Sequence, residues 1–163
     1  MNLLRSNGAT IATAAEMEQT LGLPADSISA ALGGSAKFGS LTFQSIPARE
    51  ADQLTFQWDF IRGGLNYTSH AFYVLCKVDQ RTEKCATDSR GQLDGVIESL
   101  ATNAMATQPL SDNSILRHTG WREKQIVIDS TAERIFAVGI INVDSNFGAH
   151  LLTVDRVQLR SNL

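Results

Sequence analysis

From Gln53 to Gly64 the chain reads QLTFQWDFIRGG, with Leu54, Phe56, Trp58 and Phe60 two positions apart and Thr55, Gln57 and Asp59 between them. A strand sends alternate side chains to opposite faces, so this row predicts a strand bearing one continuous apolar stripe. Such a stripe either grips a ligand or lines a core. Neighbouring patterns favour the core. AKFGSLTFQSI places Phe38, Leu41, Phe43 and Ile46 among polar residues, with Gly39 as a bulge and Pro47 closing the run. HAFYVLCKV, WREKQIVID, ERIFAVGIINV and HLLTVDRVQLR follow, each rich in β-branched or aromatic residues and separated by Gly, Asn, Asp or Ser.

Helical signals are confined to the beginning. Thr13 with Glu16 three residues on reads as a capping box for AAEMEQTL, which Gly22 and Pro24 terminate. A second short helix runs from Asp26 through SISAAL to Gly33 and Gly34. Between Thr87 and Thr119 the pattern is weak: DGVIESLATNAM fits a strand pair or a helix, and QPLSDNS reads as loop. At least six strands without long helices between them predict an all-β, antiparallel sandwich with one or two short N-terminal helices. Residues 1–35 form an N-terminal segment packed on, or donated to, a sandwich of residues 36–163, in one domain overall.

Length and composition fit that picture. A chain of 163 residues buries enough surface as one domain to need no staple, and no apolar run approaches the roughly 20 residues of a membrane helix. With 14 basic and 17 acidic residues the net charge is −3, and no Lys/Arg cluster matches a run of phosphates, so nucleic acid is not an expected partner. No apolar stretch follows Arg5, so no secretory signal peptide is expected within this chain. Cys76 and Cys85 bracket KVDQRTEK, where Asp79 to Thr82 can turn a hairpin. The two are either a disulfide or a pair of reduced, inert thiols, and their spacing does not suit a metal finger.

Candidate chemistry is sparse. The chain carries none of the common nucleophile, zinc-protease, phosphate-loop or dinucleotide motifs, and His70, His118 and His150 lie at strand starts or in loops, so no catalytic residue and no enzyme activity is expected. Loop aromatics with polar neighbours offer ligand contacts, because sugars stack on flat rings beside amides and carboxylates. The candidates are Trp121 with His118 and Arg122, Tyr67 with Asn66, and Phe147 with Asn146. Each ring has an alternative role in packing the sandwich edge or covering loop backbone. The tripeptide NYT at Asn66 matches a glycosylation acceptor. LLRSNGATIATA, residues 3–14, is apolar and β-branched enough to pair with a sheet edge of its own domain or of a neighbour's.

The order of segments carries a further signal. LGLPADSISAALGGSAKFGSLTFQSIPAREADQLTFQWDFI, then SHAFYVL, TGWREKQIVI, FAVGIINVDSN and LLTVDRVQLR, together spanning Met17 to Leu159, resembles a family of bacterial surface-protein jelly-roll domains. These are similar to galactose-binding and carbohydrate-binding-module sandwiches of adhesins and proteins with sorting tails. The resemblance implies a jelly roll and an extracellular or cell-surface location, reached by a route not visible in this chain. No cofactor is expected; if relatives hold a structural calcium there, Asp59, Asp144 and Asp155 stand at the matching positions and could supply oxygens, the alternative being the polar side of a strand, the start of a turn and a backbone hydrogen bond. His70 departs from the family, whose members often carry Asn-Asp where this chain has Ser69-His70. The expected function is a non-catalytic structural subunit for adhesion, matrix or filament assembly, joined to copies of itself or to other surface proteins. The alternative is a carbohydrate-binding module.

Overall fold

The computed structural model describes residues 12–63, 69–102, 105–112, 115–143 and 150–162. Their elements, in chain order, are β1 (Ala12–Thr13), α1 (Ala14–Leu21), α2 (Ser27–Leu32), β2 (Ala36–Ala48), β3 (Gln53–Gly63), β4 (Ser69–Asp79), β5 (Lys84–Cys85), β6 (Gly95–Ser99), β7 (Ala106–Pro109), β8 (Ile115–His118), β9 (Arg122–Val127), β10 (Ala132–Val143) and β11 (His150–Arg160). All strand pairs are antiparallel. One sheet runs β1-β2-β10-β4-β5 with β6 also on β4; the other runs β11-β3-β8-β7 with β9 also on β3. The chain crosses between sheets from β2 to β3, from β3 to β4, from β6 to β7, from β9 to β10 and from β10 to β11, giving a jelly-roll sandwich.

The row from Leu54 to Phe60 is core. Leu54, Phe56, Trp58 and Phe60 are buried against Tyr73, Leu75, Phe136, Val138 and Val154 between the sheets. The Phe56 ring meets Tyr73 edge-on at 5.9 Å and Phe136 at 5.0 Å. Burial of each such side chain stabilises by about 1.5 to 3 kcal/mol.

A second apolar cluster lies on the opposite face of the β2-β10-β4 sheet. Phe72, Val74 and Cys76 of β4, with Ile135, Ala137 and Ile141 of β10, pack against Met17 and Leu21 of α1 and Ile28 and Leu32 of α2. This explains why β4 and β10 read as unbroken apolar runs while β3 alternates: β4 and β10 are covered on both faces, β3 on one.

The capping box at Thr13 and Glu16 is formed, with Glu16 N donating to Thr13 Oγ1 at 3.1 Å and Thr13 N donating to Glu16 Oε2 at 2.8 Å. Gly22 ends α1 at φ 75°, where an added Cβ would fall 2.6 Å from Lys84 Cβ. Lys84 in turn donates from Nζ to the Gln19 carbonyl at 2.9 Å, putting a cation at the negative end of the helix. The Cys76–Cys85 disulfide, with Cα atoms 5.5 Å apart, holds the β5 arm in that position. Asp26 precedes α2 in the left-handed region at φ 62°, and its side chain makes no capping bond.

Pro47 does not close β2, which continues to Ala48. It sits opposite Glu133 on a strand whose other side is unpaired there among the described residues, so its missing N–H breaks no ladder bond. The bulge lies beside Gly39, because the register slips between the pairs Ile141–Gly39 and Val143–Ala36. The undecided stretch from Thr87 to Thr119 contains β6, β7 and β8. Of the segment of residues 3–14, residues 3–11 lie outside the described residues.

Candidate interaction surface

The turn joining β8 to β9 carries three of the candidate ligand residues, and its polar core explains its shape. Thr119 N donates to the Phe60 carbonyl at 3.0 Å, and Phe60 N donates to Thr119 Oγ1 at 2.9 Å. Thr119 Oγ1 also donates to Asp59 Oδ1 at 3.2 Å, while Gly120 turns the chain at φ 67°. Trp121 is left 55% exposed at the tip.

The structure does not bring His118, Trp121 and Arg122 onto one face. His118 lies opposite Ile61, on the outward side of β3, whereas Arg122 lies opposite Trp58, on the inward side. The Arg122 guanidinium carbon sits 5.8 Å from the Trp58 ring centre, and Nη1 donates to the Ala101 carbonyl at 2.6 Å. Two residues on, Lys124 lies 5.6 Å from the Tyr73 ring centre and 3.5 Å from Glu98 Oε2. Tyr73 donates its hydroxyl to Glu98, and burial with that bond raises the phenol's pKa far above its usual range. Arg122 and Lys124 thus close the rim between β9 and β6. His70, half-buried on β4, is held below its ordinary pKa by desolvation.

Asp59 and Asp155 share the outward face of adjacent strands, because Asp155 lies opposite Gln57. Each is engaged locally, Asp59 by Thr119 and Asp155 by Arg156 N, which donates to its Oδ1 at 2.7 Å. No group of three or more His, Cys, Asp or Glu placed to hold a metal occurs among the described residues. Asp144, Asn146, Phe147, Asn66 and Tyr67 lie outside the described residues.

The long strand edges differ in a way that bears on assembly. β11 is an edge that carries Asp155, Arg156 and Arg160 and is bent by a bulge between Asp155 and Gln158, the usual devices that keep an edge from pairing. β2 carries a bulge beside Gly39 and Pro47 near its two ends, but no such guard between them. Its run from Ser40 to Ile46 contains no charged residue, Phe43 is 45% exposed, and β1 covers only Phe38 and Gly39. The absence of charge was readable in the sequence; the edge position was not.

No protein-family model matches this chain, and no curated protein matches it. Among solved structures, the chain is similar to the K1 cleaved adhesin domain of Lys-gingipain from Porphyromonas gingivalis W83. The identity is 12% and the TM-score 0.38, over 99% of this chain and 94% of that one.

Proposed function

We propose that the protein is a non-catalytic structural or adhesive subunit of the cell exterior that assembles by strand addition to β2. The observation that carries this reading is the uncharged run Ser40–Ile46 on an edge of β2 that is largely unpaired among the described residues, beside the charged edge of β11. The ladder begun by Ala12–Gly39 and Thr13–Phe38, continued at the same register, would set residue 11 opposite Ser40 and residue 3 opposite Ala48. The chain therefore holds a stretch of matching length, and a neighbour's copy of it fits the edge as well as its own. Donation from copy to copy is a head-to-tail contact, and such contacts build open filaments unless the rotation closes. The Cys76–Cys85 bond supports an oxidising location outside the cytosol.

Light scattering on the purified protein tests this reading. It predicts concentration-dependent oligomers that deletion of residues 1–11 abolishes. A monomer at all concentrations, unchanged by the deletion, counts against it.

A second reading, a carbohydrate-binding module, is favoured by the exposed Trp121 ring at the β8–β9 turn. Glycan-array binding lost in Trp121→Ala, with no oligomers formed, would move the assignment there.

A further inference from the structure

On the outward face of the second sheet, strands β11, β3 and β9 lie side by side in register. Successive rows across them are Asp155–Gln57–Glu123, Gln158–Thr55–Gln125 and Arg160–Gln53–Val127. Thr55 is the short side chain at the centre of this grid, surrounded by longer ones. A depression of about 280 Å³ results, near the lower end of the roughly 300 to 1,000 Å³ typical of ligand sites. Thr55 lies at its floor, 9% exposed, and the lining side chains are polar apart from the buried Phe56.

The bulge in β11 adds a cation to the rim of this well. Arg156 is the extra residue and adopts φ 52°, a left-handed conformation that a non-glycine side chain disfavours. Its backbone N–H is held by Asp155, while its guanidinium has no ion pair or hydrogen bond among the described residues. Arg160 stands on the same rim, oriented by Nε and Nη2, which donate to Gln158 Oε1 at 3.2 and 2.9 Å. Glu123 is fixed from the other side by Gln125 Nε2, 2.7 Å from Glu123 Oε1.

We propose that this well binds an acidic saccharide, with Arg156 and Arg160 holding a sugar carboxylate and Gln57, Gln158 and Glu123 taking its hydroxyls. Guanidinium forks match carboxylates in geometry and charge. Fixed amides and a carboxylate serve as donors and acceptors for neighbouring hydroxyls, and Glu123 disfavours a densely charged polyanion. An acidic peptide is the poorer fit: β3 at the floor is paired on both sides, the β11 edge beside it is bent by its bulge, and the well has no exposed apolar socket for a side chain. The site is separate from the edge of β2 and from Trp121, and depends on neither reading above.

The test is calorimetric titration with a uronate oligosaccharide, its neutral counterpart of the same linkage, and an oligo-aspartate peptide. The expected result is uronate binding at least about tenfold tighter than either control. Arg156→Gly should abolish that preference while keeping or raising the thermal midpoint, because glycine accepts the bulge conformation without strain. Arg160→Gln, which leaves the backbone unchanged, should weaken uronate binding in the same direction. Equal affinity for acid and neutral sugars, no uronate binding, undiminished binding by both variants, or peptide binding as tight as uronate would each overturn the proposal.

Discussion

At the centre of the first sheet β10 and β4 are buried on both faces, one by the opposing sheet and one by α1 and α2; in the sheet of β11, β3 and β9 one face meets water. The same outward position therefore has different meanings in the two. Phe72 points away from the sandwich centre and is fully buried under the helices, while Gln57, equally outward, faces solvent with other amides and charges. The helices cover the outward face of β10 and β4, and among the described residues the long edge of β2 stays open. The second sheet offers a polar face and guards its edge. On the two proposals above, assembly and ligand binding would fall to different sheets.

Paired substitutions sharpen this contrast most. Phe72→Ala is expected to cost about 3 to 5 kcal/mol by denaturant unfolding, as for a residue in the centre of a core. Gln57→Ala is expected to stay within about 0.5 kcal/mol. Similar losses at the two positions would show that the helical layer does not stabilise its sheet.

Next in size is the disulfide. Replacing Cys76 and Cys85 together by Ala should lower stability by about 2 to 3 kcal/mol in the same measurement. Part of the effect should appear as faster amide exchange at the end of α1, where Lys84 caps Gln19.

The smallest expected effect concerns Glu18, buried between α1 and α2 with its Oε2 3.2 Å from Ser27 N. Desolvation, the largest influence, raises its pKa above the ordinary value of 4.5, against the lowering effect of the Ser27 bond. The folded state then binds this proton more tightly than the unfolded state does. Its stabilising contribution is complete below the ordinary value and is lost as pH rises through the raised one. Melting curves of Glu18→Gln should show a weaker decline over that window than the wild type.

Much of this organisation was legible in the chain because long strands announce themselves. β3 showed its inward stripe, β4 and β10 their apolar runs, and α1 its capping box. What remained hidden was the cause of those runs: nothing local in HAFYVLCKV says that helices 40 to 60 residues away cover its second face. β6, β7 and β8 were illegible because they are four or five residues long and bury no residue fully, leaving no apolar alternation to read. The faces of the candidate ligand residues at the β8–β9 turn were hidden for a similar reason. His118 and Arg122 are close in sequence, but the turn at Gly120 sends them to opposite faces. Arg156 looked like an ordinary charged strand residue, and only register reveals it as the inserted one.

On the proposed reading the β2 edge, and not the β11 edge, joins copies of the protein. Amide hydrogen exchange above and below the concentration of assembly tests it most directly. Protection should rise along Ser40–Ile46 on assembly and stay unchanged along His150–Arg160. Protection gained on β11 instead, or on neither strand while oligomers form, would contradict it.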